Sequence, residues 1–287
     1  MADAMAGRFL PRLRGRGTGE AGGGGAMSRR QRIMTIPTAC VIGWPIKHSR
    51  SPVIHRFWLR ELGIMGDYVV QPVEPERATS FFARFAESGY VGANVTVPHK
   101  EVAYAAVTRR EPAARAIGAV NTVWLEDGAL VGSNTDAIGF LANLDQEASG
   151  WDRDAKSAVV LGAGGAARAI VWALTTRNIP AIHVVNRTAS RAAALAERFG
   201  PTVKVAETEA LPALLAEADV LINTTSLGME GQPPLAIDLA PMRKTALVND
   251  LVYVPLETPL LAAARARGLR PVDGLGMLLH QAVPGFE

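Results

Sequence analysis

The run Gly162-Ala163-Gly164-Gly165-Ala166-Ala167 reads G-x-G-x-x-A. It follows the apolar stretch Ala158-Val159-Val160-Leu161 and precedes a segment of helical pattern, the setting that gives such a motif meaning. Small residues there let a backbone approach a pyrophosphate, and free N–H groups at the helix start face the anion. Glycines also serve tight turns, but the strand before and the helix after favour nucleotide binding. The next strand ends at Val185-Asn186-Arg187-Thr188, with Arg191 one helical turn on. An acid at this point would hold the ribose 2′-hydroxyl of NAD. Asn186 and Arg187 stand there instead, and a guanidinium suits a 2′-phosphate. Arginine is common at solvated helix starts, yet two at this one position of a dinucleotide fold point to NADP.

A different set lies upstream. Segment 43–52 (GWPIKHSRSP) offers the hydroxyls of Ser49 and Ser51 at a loop–helix junction. They can bind a small anion or simply cap the helix, and the two readings weigh equally. Segment 94–100 (NVTVPHK) puts polar groups on and just after a strand end, as do Asn121-Thr122 and Asn134-Thr135-Asp136. Ligands of open α/β sheets bind beyond the carboxyl ends of strands. Taken singly, Asn and Asp also serve turns, Lys100 is an ordinary surface lysine, and His48 and His99 are structural or exposed. No His/Asp/Glu group has metal-ligand spacing and no G-x-S-x-G occurs, so no metal is expected.

Two series of elements must position these residues. Residues 39–43 read as a buried strand, and Ser51-Pro52 opens a helix with proline in its first turn. Val53, Ile54, Phe57, Trp58 and Leu62 recur at helical spacing and predict that helix's apolar face. Strands follow at 68–73 and 93–97, with a helix through 81–85 between them. Asp127-Gly128, between strands 120–125 and 129–132, reads as a hairpin turn. The second series has strands at 158–161, 182–185, 219–224 and 246–250. Its helices run over 167–177, from a Thr188 cap to near Gly200, and over 259–267, with a last helical pattern from Leu275. Alternating strands and helices imply parallel sheets.

The chain's 287 residues allow one large domain or two ordinary ones, with a globular rather than disordered composition. A single cysteine, Cys40, excludes a disulfide scaffold and a multi-cysteine zinc site. No apolar run reaches 18 residues, so no membrane span is expected. The net charge of +3 suggests an acidic partner until its distribution is read. Seven arginines lie in residues 1–32 against Asp3 and Glu20, leaving 23 bases and 25 acids in the remainder. The body is slightly acidic, and no nucleic-acid partner is expected. The Gly/Arg-rich leader, 1–35, reads as disordered. It lacks a secretory apolar region and clear transit-peptide spacing, and reads as a dispensable tail or an upstream start, with Met27 and Met34 before the first strand.

Together these segments resemble the shikimate dehydrogenase family. The resemblance runs from about residue 38 to the end, through 43–52, 92–100 (GANVTVPHK), 118–122 (GAVNT), 134–136 (NTD), 162–166 (GAGGA), 186–188 (NRT), 223–225 (NTT) and 273–281 (DGLGMLLHQ). Eight segments in order make coincidence negligible. The family pattern has no counterpart of residues 1–35, and it usually continues past the Gln281 segment into a further helix on the substrate unit. This chain ends six residues after Gln281.

The resemblance implies reversible NADP-dependent reduction of 3-dehydroshikimate to shikimate by a two-domain α/β protein. A mostly parallel α/β/α substrate domain, 36–136 completed by 273–287, would face a Rossmann-type NADP-binding domain, 137–272, across a cleft. By motif match, Ser49, Ser51, Thr96, Lys100, Asn121, Asp136, Tyr253 and Gln281 would contact substrate. Lys100 would transfer the proton with Asp136 beside it. Gly162, Ala163, Gly164, Gly165, Ala166, Asn186, Arg187, Thr188, Arg191, Leu251 and Gly274 would line the NADP site. A cytoplasmic monomer or homodimer is expected. One alternative is a quinate/shikimate dehydrogenase, a family that often uses NAD; the Asn186-Arg187 pair argues against NAD, though not against quinate. The other is a catalytically silent NADP-binding paralogue, which the presence of both Lys100 and Asp136 disfavours.

Overall fold

The computed structural model describes residues 36–47 and 49–287, so the leader's expected disorder and the reading of His48 lie outside the described residues. The first half of the chain lays down β1 (Thr38–Gly43), α1 (Ser51–Glu61), β2 (Asp67–Pro72), α2 (Pro75–Ala83), β3 (Gly92–Val95), α3 (Lys100–Ala106), β4 (Arg109–Arg110), α4 (Pro112–Ile117), β5 (Thr122–Glu126), β6 (Ala129–Ser133) and α5 (Asp136–Glu147). Its six strands form one sheet in the order β2-β1-β3-β5-β6-β4. β1 is parallel to both β2 and β3, whereas β5 runs antiparallel to β3 and to β6. That reversal follows from the β5–β6 hairpin, whose turn residues Asp127 and Gly128 both take positive φ, as its Asp-Gly pair predicts.

The second half contributes β7 (Ser157–Leu161), α6 (Gly165–Thr176), β8 (Ala181–Val185), α7 (Ala189–Phe199), β9 (Val203–Ala206), α8 (Leu211–Glu217), β10 (Val220–Asn223), β11 (Leu247–Asp250), α9 (Pro259–Ala266), β12 (Arg270–Val272) and α10 (Leu275–Phe286). The order β12-β11-β10-β7-β8-β9 is parallel throughout. Strands covered on both faces must be apolar along their whole length, and Ala158, Val159 and Val160 are fully buried. The strand order reverses at β7, between β8 and β10. That is the switch point where a doubly wound sheet opens a crevice for a ligand.

Two helices carry site residues from distant parts of the sequence to one place. A Cβ added at Gly139 of α5 would stand 2.6 Å from the Gln281 Cβ and 2.7 Å from the Met277 carbonyl oxygen, both on α10. Only glycine permits this approach, which sets Gln281 beside the residues that α5 begins with.

The expected apolar face of α1 is corrected. Val53, Phe57 and Leu62 are exposed, while Ser51 and His55 are buried and Ile54, Trp58 and Leu59 are half-buried. The inner face, 51, 54, 55, 58 and 59, keeps Ile54 and Trp58 of the expected one but is rotated from it because its centre is a histidine. The His55 ring stacks on Tyr68 at 4.1 Å and 3°, and meets Trp58 edge-on and Phe286 at a tilt. A flat imidazole fills an aromatic slot that hydropathy assigns to an apolar side chain. Thr188 does stand at the N-cap of α7, but its side chain makes no capping hydrogen bond.

Burial lowers the His55 pKa from 6.5 to about 4. The unfolded chain therefore takes up a proton below about 6.5 and the folded chain only below about 4. This contribution to stability is complete above 6.5 and is lost as pH falls from there to 4, by about 3 kcal/mol in all. Denaturant unfolding at pH 7.5 and 4.5 should show a smaller acid loss in His55→Phe than in the parent chain. Equal losses in the two would contradict it.

Candidate functional site

Lys100 is the first residue of α3, one turn beyond the end of β3. Its position is fixed from behind by His99, which is buried and places Nε2 2.7 Å from the Val73 carbonyl oxygen. A carbonyl only accepts, so the ring donates there, and His99 serves the structure as expected. Lys100 itself is buried, not the surface lysine its type suggests. Its Nζ donates to Asp136 Oδ2 at 2.6 Å.

Asp136 begins α5, where its N–H donates to Asn134 Oδ1 and Asn134 Nδ2 donates to the Ala119 carbonyl oxygen. Asn121 precedes β5 and donates Nδ2 to Asp136 Oδ1 at 2.9 Å, to Thr135 Oγ1 at 2.9 Å and to Gln281 Oε1 at 3.2 Å. Its Oδ1 accepts from the Thr135 N–H at 2.9 Å and the Thr122 hydroxyl at 3.0 Å. The direction of the Asn121 amide is thereby fixed. One Asp136 oxygen is held by a neutral amide and the other by the lysine.

The chain of donors continues inward. Thr122 Oγ1 accepts from Asn94 Nδ2 at 3.2 Å, and Asn94 Oδ1 accepts from the Tyr68 hydroxyl at 2.6 Å. Ser51 lies near that same hydroxyl. Burial pushes the Tyr68 pKa well up, so the phenol remains a donor. Buried polar groups are costly unless paired, and this line of partners joins the Ser51 end of the site to Asp136. Sequence reasoning missed Tyr68, which reads as an ordinary strand residue. It noted Asn94, Thr122 and Thr135 as polar strand ends without giving them a role.

Ser49 Oγ accepts from the Ser51 N–H at 3.3 Å, while the N-cap of α1 is Arg50, whose side chain makes no capping hydrogen bond. Ser51 is buried at the start of α1. Tyr253, from the second half of the chain, lies beside Arg50 of this loop. Burial raises the Tyr253 pKa, and Arg50 offsets part of the rise. Thr96 lies in the turn after β3, its N–H bonded to the Ile42 carbonyl oxygen at 2.9 Å.

The glycine loop joins β7 to α6. Gly162 takes φ +103, and a Cβ on Gly165 would sit 2.8 Å from the Lys100 Cβ. The start of α6 is thus pressed against the start of α3, and the nucleotide loop borders the Lys100–Asp136 pair. Asn186 Nδ2 donates to the Thr188 carbonyl oxygen at 2.9 Å, while Arg187 and Thr188 are exposed at the end of β8. Arg191 pairs with Glu101. Leu251 follows β11, and its carbonyl oxygen lies against Gly274, leaving no room for a side chain there. Nearby, Asp250 Oδ1 accepts from Asn223 Nδ2 and Oδ2 from the Thr258 hydroxyl, tying β10 to β11. Burial raises the Asp250 pKa against those bonds. These groups suit a dinucleotide with a 2′-phosphate. Gly164 borders open space, and Arg187, with no acid beside it in 186–188, is exposed just beyond β8. The described residues hold no group of three or more His, Cys, Asp or Glu that would bind a metal ion.

Comparison with known proteins gives concordant results. Residues 41–123 match the shikimate dehydrogenase substrate binding domain, and residues 144–229 match the shikimate / quinate 5-dehydrogenase family. A shikimate dehydrogenase (NADP(+)) of Azorhizobium caulinodans is 58% identical over 246 residues, covering 86% of this chain and 88% of that protein. Among solved structures, the shikimate 5-dehydrogenase of Thermus thermophilus in complex with NADP(H) and shikimate is 37% identical, with a TM-score of 0.77 over 88% of this chain and 92% of that one. The quinate dehydrogenase of Corynebacterium glutamicum in complex with NAD is 31% identical, with a TM-score of 0.76 over 88% and 92% of the two chains.

Proposed function

The chain belongs to the shikimate dehydrogenase family, and from that premise we propose that its site interconverts 3-dehydroshikimate and shikimate with NADP(H). The observation that carries this reading is the buried Lys100–Asp136 pair, braced by Asn121 and Gln281 and bordered by the glycine loop. NADP, when bound, supplies or takes the hydride at C3 of the substrate. In the oxidation direction the C3 hydroxyl must also lose a proton, and Lys100 Nζ relays it, accepting the hydroxyl proton as it gives one of its own to Asp136 Oδ2. In reduction the same pair returns a proton to the C3 oxygen. Asn121 orients Asp136, Gln281 holds Asn121, and both offer further neutral partners for the ring hydroxyls.

Residues 36–136 with 273–287 form the substrate unit in this reading, and 137–272 the cofactor unit. No described helix is long and apolar enough to cross a membrane, and we place the enzyme in the cytoplasm as a monomer or homodimer.

Ser49 and Ser51, with Tyr253 above them, hold the substrate carboxylate, and Thr96 lines the same end. A hydrogen bond to a charged group is worth about 1.5–3 kcal/mol, so Ser51→Ala should raise KM for shikimate by roughly tenfold or more. A shikimate complex with its carboxylate remote from both serines would refute the assignment. The alternative, a quinate/shikimate dehydrogenase, draws on the likeness to the quinate enzyme. Turnover of quinate and shikimate with NADP separates the two: shikimate should be strongly preferred, and equal turnover would favour the alternative.

A further inference from the structure

Glu101 follows Lys100 on α3 and faces the second half of the chain. One carboxylate oxygen, Oε2, accepts from Arg168 Nη2 of α6 at 3.3 Å, and the other, Oε1, accepts from Arg191 Nη2 of α7 at 2.8 Å. The two arginines differ in freedom. Arg168 has a side chain only 16% exposed, while Arg191 is 53% exposed. Arg191 stands on the first turn of α7, directly after the Asn186-Arg187-Thr188 turn. Taken with the placement of the 2′-phosphate at that turn, on which this inference rests, Arg191 has two anions within its reach: Glu101 from the substrate unit and the phosphate from the cofactor.

We propose that Glu101 sets how tightly NADP is held, by competing with the 2′-phosphate for Arg191. The competition is cheap to resolve. An exposed arginine–carboxylate pair contributes little, and Glu101 keeps Arg168 when it releases Arg191, so no charge is stranded. Glu101 therefore weakens NADP without touching NAD, and it ties cofactor release to the helix that carries Lys100.

The test is calorimetric binding of NADP, NAD and 2′,5′-ADP to the full chain as wild type, Glu101→Gln, Arg191→Ala and the double variant. Glu101→Gln should tighten NADP and 2′,5′-ADP about two- to fivefold, the worth of one exposed pair. NAD should not change, the gain should vanish when Arg191 is alanine, and it should shrink as salt is added. If Arg191→Ala weakens NADP while Glu101→Gln leaves it unchanged or weaker, competition is overturned and Arg191 keeps its place at the phosphate. If Arg191→Ala leaves NADP unchanged, Arg191 is not at the phosphate and the proposal falls with that placement. A gain in NAD equal to that in NADP, or a gain that persists in the double variant, overturns the competition as well.

Discussion

Lys100→Ala should lower kcat by ~10²–10⁴-fold, the usual contribution of a general acid–base group, with the affinity for NADP little changed. Removal of hydride from a C–OH carbon is blocked unless the oxygen's proton leaves with it, and Lys100 Nζ is the buried group bonded to the Asp136 carboxylate at 2.6 Å. An interaction made only in the transition state lowers kcat and kcat/KM together, so KM for shikimate should move much less than kcat. Asp136 remains bonded to Asn121 in this variant, which keeps one partner on the buried carboxylate. Thermal unfolding run beside the kinetics separates lost chemistry from lost structure. A folded variant with near-normal kcat would show that Lys100 is not the proton-transfer group.

The second large effect concerns the cofactor. The wild-type chain should bind NADP far more tightly than NAD, and Arg187→Ala should erase most of that difference by weakening NADP alone. Arg187 is exposed at the end of β8, where we place the ribose of a dinucleotide bound at the glycine loop, and 186–188 hold no acid to take the ribose hydroxyls of NAD. At ~1.5–3 kcal/mol per charge-assisted bond, one arginine accounts for roughly 10- to 150-fold in affinity. Titration of each cofactor into the parent chain and the variant reads this directly. Equal affinities in the parent chain would remove the basis for NADP.

The features legible in the sequence were those encoded within a few residues. The glycine loop, the Asn186-Arg187 turn, the Asp127-Gly128 hairpin and the apolar strand 158–161 each carry their own local chemistry, and the structure contains all of them. What escaped depends on partners far away in the chain. α5 holds Gly139 and Asn143, poor helix formers, yet it is a helix because Gly139 lets α10 close onto it. The face of α1 was misread because a buried histidine, stacked on Tyr68, carries no hydropathy signal. The short edge strands β9 and β12 have too few residues to show alternation. In the site, the polar residues at strand ends were visible, but their wiring was not. Asn121 meets Gln281 across 160 positions, and Glu101 meets Arg191 across 90. Nothing in either segment names its partner.

The most direct test of the central claim is a single-turnover measurement of NADPH consumption by 3-dehydroshikimate, with the parent chain and Asp136→Asn side by side. The parent chain should consume NADPH in a rapid phase matching the enzyme present. Asp136→Asn, which keeps the side chain's shape but removes the carboxylate that holds Lys100, should slow that phase by about 10²-fold or more. Absence of the phase in the parent chain, or equal rates in the two, would contradict the account.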